Sequence, residues 1–175
     1  LFDESYNSGA KAIMTDSTDL VPAGTRSGMR FTVDAHPVMM GIEFNIWHKL
    51  DTKRDTSGGY WEISRDGGTT WQNVIHDWCF WHSTNFYDSS NVITADGGHY
   101  AFSGDSTDTW MHSLFFMDWI GGGDTAHMRW VYVSDSSDSL SEGWMIGMLT
   151  LQGSWSSREE IMQRQAISVF PNLTS

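Results

Sequence analysis

The sequence predicts an all-β protein, an antiparallel β-sandwich, from its composition, its alternating segments and its turn residues. Aromatic residues make up 14% of the 175 residues, and 17 residues are glycines. Aromatic residues favour strands and glycine favours turns, while helix-forming runs of Ala, Leu, Glu and Lys are absent. A chain of this length usually builds one core, so residues 1–153 are expected to form a single sandwich domain.

The clearest local element is a hairpin at residues 58–71. Tyr60 and Glu62 alternate with Trp61, as expected for a strand with two different faces. The Asp-Gly-Gly sequence at 66–68 supplies residues that tolerate positive φ angles, which a tight turn between two strands requires. Thr69, Thr70 and Trp71 then favour a return strand.

Alternation of apolar and polar residues predicts the other strands. In the segment 38–50, Ile42, Phe44 and Ile46 are expected to face the core and Trp47 the solvent. The same pattern places further strands at 10–14, 29–34, 110–119, 127–133 and 143–151. Residues 154–165 are predicted to form a linker that contains one helical turn.

Charge and cysteine content exclude several classes of protein. The formal net charge is -12, which would repel a phosphate backbone, so nucleic-acid binding is disfavoured. No apolar stretch approaches the length that a membrane-spanning helix needs. Cys79 is the only cysteine, so there is no internal disulfide, and it is expected to be a small buried hydrophobic residue.

The hairpin also fits a known pattern. The residues Ser64-x-Asp66-x-Gly68-x-Thr70-Trp71 match the Asp-box of sialidase-like propellers, in which the box is a structural hairpin. A propeller would need such a unit in every blade, and this chain has one copy and no internal repeat. The propeller fold is therefore disfavoured.

The order of three motifs over residues 9–153 resembles that of the MAM-like or immune-inhibitor-A-like jelly-roll domains of secreted bacterial proteins, and this resemblance implies an antiparallel jelly-roll β-sandwich. The first motif is the hairpin, and the second is Phe102-Ser-Gly-Asp-Ser-x-x-x-Trp110. The third is a basic-aromatic strand, a Ser-Asp loop and then Gly143-Trp144-x-Ile146. Gly147 and Met148 replace a pair of acids found in relatives, so a metal site of that family is not expected at this position.

The segment 76–87 has an aromatic density that suggests a ligand site. Sugar C–H faces stack on aromatic rings, while polar neighbours bond hydroxyl groups. The predicted ligand-binding residues are Trp78, Trp81, His82, Asn85 and Tyr87. The alternative is that several of these rings belong to the core.

Acidic loops suggest calcium rather than zinc, because oxygen ligands suit a hard cation. Asp135 and Asp138 are weak candidates for a structural calcium site, as are Asp3 and Glu4. The alternative is a solvated acidic loop. No His-x-His or His-Glu-x-x-His spacing points to a transition metal.

No catalytic residues are predicted. A glycosidase would need paired carboxylates, and the strand positions of Glu43, Glu62 and Glu142 do not pair them. The predicted function is a non-catalytic recognition or adhesion module, possible ligands being a glycan or a surface protein. A hydrolase or its accessory domain, and a structural subunit of a surface assembly, are the alternatives.

The C-terminal segment 166–175 resembles the start of the sorting domain carried by type IX secretion cargo, whose first strand typically reads Val-Tyr/Phe-Pro-Asn-Pro-Thr. Leu173 stands in place of the second proline of that motif. The resemblance implies contact with the secretion machinery and a secreted or cell-surface location. The alternative is an ordinary edge strand ended by Pro171.

Overall fold

The computed structural model describes residues 12–16, 19–35, 39–106, 109–118, 125–137, 140–155 and 172–173. Two five-stranded antiparallel sheets contain most of these residues, so the all-β prediction is confirmed. Sheet I has the order β1 (Ile13–Met14), β11 (Gly143–Trp155), β3 (Met39–Asp51), β9 (Met111–Asp118) and β6 (Phe80–Thr84). Sheet II has the order β12 (Asn172–Leu173), β2 (Arg26–Asp34), β10 (Thr125–Val133), β4 (Gly58–Ser64) and β5 (Gln72–Asn73).

The long connection between β5 and β9 carries several short elements besides β6. These are the 3-10 turns η1 (Val74–His76) and η2 (Ala95–Gly97) and the two-stranded pair β7 (Val92–Ile93) and β8 (His99–Tyr100). Tyr60 of β4 stacks on His99, with ring centroids 4.3 Å apart. Asn73 Nδ2 donates to Tyr100 O at 2.7 Å. This connection therefore covers part of the outer face of sheet II.

The core lies between the two sheets, on the faces that alternation predicted. Ile42, Phe44 and Ile46 of β3 are buried, as expected. Trp61 of sheet II reaches across the core, with its ring centroid 6.4 Å from that of Phe44 and 5.7 Å from that of Phe115 in sheet I. Aromatic side chains of both sheets thus share one apolar layer, which burial from water stabilises.

The predicted hairpin is formed by β4 and β5, and its turn uses the expected glycines. Gly67 has φ 73° and Gly68 has φ 90°. The carboxylate of Asp66 accepts hydrogen bonds from the backbone N–H groups of Thr69 at 3.0 Å and Thr70 at 2.8 Å. Hydrogen bonds led by that from the Thr70 hydroxyl hold the pKa of Asp66 well below its usual range. Because the turn binds these amides, the return strand begins at Gln72 and not at Thr69.

Strand boundaries differ from the expected ones mainly at the end of the domain. Strand β11 continues past residue 151, since Ser154 pairs with Gly41 and Trp155 with Met39. The first residues of the segment predicted as a linker are therefore part of sheet I. The rest of the linker, including its helical turn, lies outside the described residues. Of the C-terminal segment, Asn172 and Leu173 are described, and they pair with Arg30 and Met29 of β2.

Candidate ligand-binding surface

The structure separates the five predicted ligand-binding residues. Trp78 and Trp81 are 72% and 45% exposed, so both rings are available to a partner. Trp78 precedes β6 and lies against Arg65, whose guanidinium carbon is 5.6 Å from the ring centroid. His82 is exposed, with its ring 5.9 Å from that of Phe80. Trp81 and His82 are adjacent in β6 and therefore point to opposite sides of the strand.

Tyr87 is a core residue, which differs from the prediction that it contacts a ligand. It is only 2% exposed, and its ring stacks on Phe86 at 4.4 Å. The hydroxyl accepts a hydrogen bond from Trp61 N at 2.9 Å and donates to Asn73 Oδ1 at 3.0 Å. Burial raises the pKa of the Tyr87 phenol well above its ordinary value. A tyrosine with a satisfied hydroxyl can be buried completely, and the local sequence did not reveal those partners.

Trp81 belongs to a larger surface on the outer face of sheet I. Its indole stacks on Phe116 of β9, with centroids 3.8 Å apart and planes 6° apart. The indole Nε1 donates to Asp118 Oδ2 at 2.9 Å. The ring therefore has a defined orientation while remaining half exposed.

A second stacked pair lies further along the same face. Trp47 of β3 stacks on His112 of β9, with centroids 4.5 Å and planes 13° apart. His112 Nε2 lies 2.7 Å from Asn45 Oδ1. Since that oxygen can only accept, the His112 ring carries a proton on Nε2 and donates it. Trp47, His112 and Asn45 are all partly exposed.

Strand register places the two pairs on one platform. Trp81 pairs with Phe116, and Phe116 pairs with Glu43, while His112 pairs with Trp47. Glu43 and Trp47 are four positions apart on β3, which is about 13 Å along a strand. We define the aromatic platform as the residues Glu43, Asn45, Trp47, Trp81, His112 and Phe116. Two ring pairs at this separation can contact separate units of one extended ligand.

Asn85, which follows β6, is hydrogen-bonded to the strand that carries the aromatic platform. Its Nδ2 donates to His112 O at 3.1 Å, and its own carbonyl oxygen accepts from Ser113 Oγ at 2.6 Å. Ser113 Oγ also lies 2.9 Å from His48 Nε2, and Trp144 Nε1 donates to His48 Nδ1 at 2.9 Å. An indole N–H can only donate, so His48 Nδ1 accepts and the ring carries its proton on Nε2. His48 Nε2 therefore donates to Ser113 Oγ. Burial lowers the pKa of His48 to about 3, so the buried ring is neutral.

Cys79 is buried, as predicted, but it belongs to a polar network. Its thiol donates to Asp77 Oδ1 at 2.7 Å, and Arg65 Nη2 lies 2.7 Å from the sulfur. Burial raises the pKa of the Cys79 thiol to about 12. Burial alone would raise the pKa of Asp77, yet hydrogen bonds from Arg65 and Cys79 lower it to about 2. The network fixes Arg65 beneath the exposed Trp78 ring.

The described residues offer no assembled cation site. Asp135 Oδ1 accepts from the backbone N–H of Ser137 at 2.8 Å and from its hydroxyl at 2.6 Å. Asp138, Asp3 and Glu4 lie outside the described residues. Within the described part of the chain, no group of three or more His, Cys, Asp or Glu residues is placed to hold a metal ion.

Two of the acids considered for catalysis lie far from each other. Glu43 is on the outer face of sheet I, whereas Glu62 alternates with the core residue Trp61 and faces outward on sheet II. Glu62 is bonded there to Arg129 Nε. The core separates these two carboxylates, so they do not form the pair that glycoside hydrolysis requires.

Comparison with family models and with curated proteins gave no match to this chain. No helix among the residues that the structure describes has the length and apolar character needed to cross a membrane.

Proposed function

We propose that this chain is a non-catalytic recognition module that binds a glycan on the aromatic platform. The observation that carries the proposal is the pair of stacked, partly exposed ring systems on one sheet face, Trp81 on Phe116 and Trp47 on His112. Apolar faces of sugar rings pack on aromatic rings, and polar neighbours bond the hydroxyl groups. Asn45 lies between the two ring pairs along β3, and Glu43 lies beside Phe116.

The platform is suited to binding because its rings are held in place before a ligand arrives. Trp81 is fixed by Phe116 and by its hydrogen bond to Asp118, and His112 is fixed by Asn45. Ordering free side chains costs affinity, so side chains that are already ordered bind more tightly. The strands also provide a firmer base than loops would.

The strand order supports the predicted jelly roll, and the proposed place in a secreted or surface protein depends on the resemblance to MAM-like domains. The order β1-β11-β3-β9 in one sheet and β2-β10-β4-β5 in the other means that successive strands cross repeatedly between the sheets. Two interleaved sheets of four strands are the arrangement of a jelly roll, with β6 and β12 as added edge strands. The motif order shared with MAM-like domains agrees with this proposal.

The test is a glycan array followed by calorimetry on the best ligand, with the full chain and two single variants. Trp81→Ala should weaken binding at least tenfold, which corresponds to about 1.4 kcal/mol. Trp78→Ala is the matched control, because this tryptophan is more exposed but lies off the platform. Running the array with calcium and again with a chelator tests whether binding requires the cation.

The proposal fails if no glycan binds, or if Trp78→Ala weakens binding while Trp81→Ala does not. The first result would favour a structural subunit of a surface assembly. The second would indicate that the ligand binds at the surface around Trp78 and Arg65.

A further inference from the structure

A second concave surface lies on sheet II, opposite the aromatic platform. It has a volume of about 440 Å³, and its lining includes Arg26, Gly28, Arg30, Trp71, Arg129 and Val131. That volume falls within the range of pockets that take small molecules. We call this surface the arginine groove.

Gly28 makes the arginine groove deeper because it has no side chain. Gly28 pairs with Val131 and lies between Arg26 and Arg30 on the outer face of β2. A Cβ atom at this position would come within 2.6 Å of Trp130 O on the neighbouring strand. Gly28 therefore both permits close strand pairing and leaves open space between the two arginines.

Trp71 holds two of the guanidinium groups in position. The guanidinium carbon of Arg129 is 4.2 Å from the Trp71 ring centroid, and that of Arg30 is 5.1 Å away. The indole is itself fixed by a hydrogen bond from Nε1 to Gly68 O at 3.0 Å. Contact with an aromatic face stabilises a cation without using its N–H donors. The N–H donors of both arginines therefore stay available for hydrogen bonds.

The three arginines differ in how their charge is compensated. Arg129 is paired with Glu62, and Arg26 Nε lies 2.8 Å from Asp96 Oδ2. Arg30 Nη2 donates to Gly67 O at 3.0 Å, and no carboxylate of a described residue lies within ion-pair distance of it. Arg30 thus retains donors and a positive charge that an incoming anion can use.

The charge of the groove contrasts with that of the whole chain. The chain has a net charge of -12 and ten basic residues, three of which line this one surface. The described lining contains no acidic side chain. Guanidinium groups bind carboxylate and sulfate through paired N–H donors. We propose that the arginine groove binds the carboxylate or sulfate group of a small anionic ligand, with Arg30 as its principal contact.

The inference does not depend on glycan binding at the platform, because the two surfaces lie on opposite sheets. The test is an NMR titration of the full chain, followed through the indole N–H of Trp71 and the Nε–H signals of the arginines. The probes are glucuronate, inorganic sulfate and, as the neutral counterpart, glucose, all at about 0.15 M ionic strength because exposed charges are screened by salt.

We expect glucuronate or sulfate to shift the Trp71 signal, and glucose to leave it unchanged. Arg30→Gln should weaken anion binding at least tenfold, and Arg30→Lys should recover part of the loss because it keeps the charge without the planar fork. Arg54→Gln is the matched control, since Arg54 is an exposed arginine outside the groove. Thermal unfolding of each variant checks that the fold is retained.

Each outcome decides the proposal. Equal binding of glucuronate and sulfate would support recognition of the oxyanion alone, and tighter binding of glucuronate would add a contribution from the sugar ring. The proposal is overturned if neither anion shifts Trp71, or if glucose binds as well as glucuronate. It is also overturned if Arg54→Gln weakens binding as much as Arg30→Gln, because that would indicate general attraction between charges.

Discussion

The outer faces of the two sheets are built from the same alternating pattern but present different chemistry. On sheet I, Trp47 and Phe116 point outward and remain partly exposed. On sheet II, the outward residue Tyr60 is buried beneath His99 of the connection between β5 and β9. The difference arises because the connection between β5 and β9 folds over sheet II and leaves this part of sheet I open. Alternation therefore determines which side of a strand a residue occupies, while the loops determine whether that side reaches solvent.

The largest expected effect comes from the core between the two sheets. Trp61→Ala should lower the free energy of unfolding by about 3–5 kcal/mol, because it removes the ring that packs against aromatic residues of both sheets. Denaturant unfolding measures this loss. Trp78→Ala, which removes an exposed indole, should change stability by less than about 0.5 kcal/mol. Similar losses in the two variants would contradict the placement of the core.

Much of the fold could be predicted from local sequence because strands and turns depend on neighbouring residues. The inward positions of β3, the strands β2 and β10, and the Asp-Gly-Gly turn all follow from patterns within ten residues or so. The sites depend on register between distant strands. His112 and Phe116 join Trp47 and Trp81 only because β9 pairs with both β3 and β6. Arg30 and Arg129 likewise meet Trp71 only through the pairing of β2 with β10 and of β10 with β4, and no local pattern contains that information.

The second expected effect is a pH dependence of the free energy of unfolding, which originates at His48 in the core beneath the aromatic platform. The pKa of His48 falls from 6.5 to about 3 on burial. Between these values the unfolded chain binds more protons than the folded chain, so stability should fall as the pH falls. The slope for one proton is on the order of 1 kcal/mol per pH unit. Denaturant unfolding between about pH 4.5 and pH 7 measures this slope of stability against pH. The interval lies above the pKa values of ordinary carboxylates, so their titration contributes little.

His48→Phe provides the control for this slope. The variant should be less stable overall, because Trp144 Nε1 and Ser113 lose a partner, but its stability should depend less on pH in the same interval. An unchanged slope in the variant would show that another group is responsible. Hydrogen bonds connect His48 through Ser113 and Asn85 to the backbone of His112. His48→Phe should therefore also make the edge of the aromatic platform less ordered.

A matched pair of glutamates compares the two faces directly. Glu62→Gln should destabilise the protein by about 1–3 kcal/mol, because Glu62 is buried and Arg129 would lose its charge partner. Glu43→Gln, on the open platform, should change stability by less than about 0.5 kcal/mol. Thermal or denaturant unfolding measures both. Equal effects would mean that the two faces are covered to the same degree.

The smallest expected effect on stability is that of Asp118→Ala beside the aromatic platform. Asp118 accepts one hydrogen bond from the Trp81 indole at a partly exposed position, so the free energy of unfolding should change by less than about 0.5 kcal/mol. The indole N–H signal of Trp81 should nevertheless move, and glycan affinity should fall because the ring loses part of its fixed orientation. Asp66→Ala is the comparison on sheet II and should destabilise more, because Asp66 organises a whole turn through Ser64, Thr69 and Thr70. If Asp118→Ala lowers stability more than Asp66→Ala, the platform is a structural element of the fold and not a surface available to ligands.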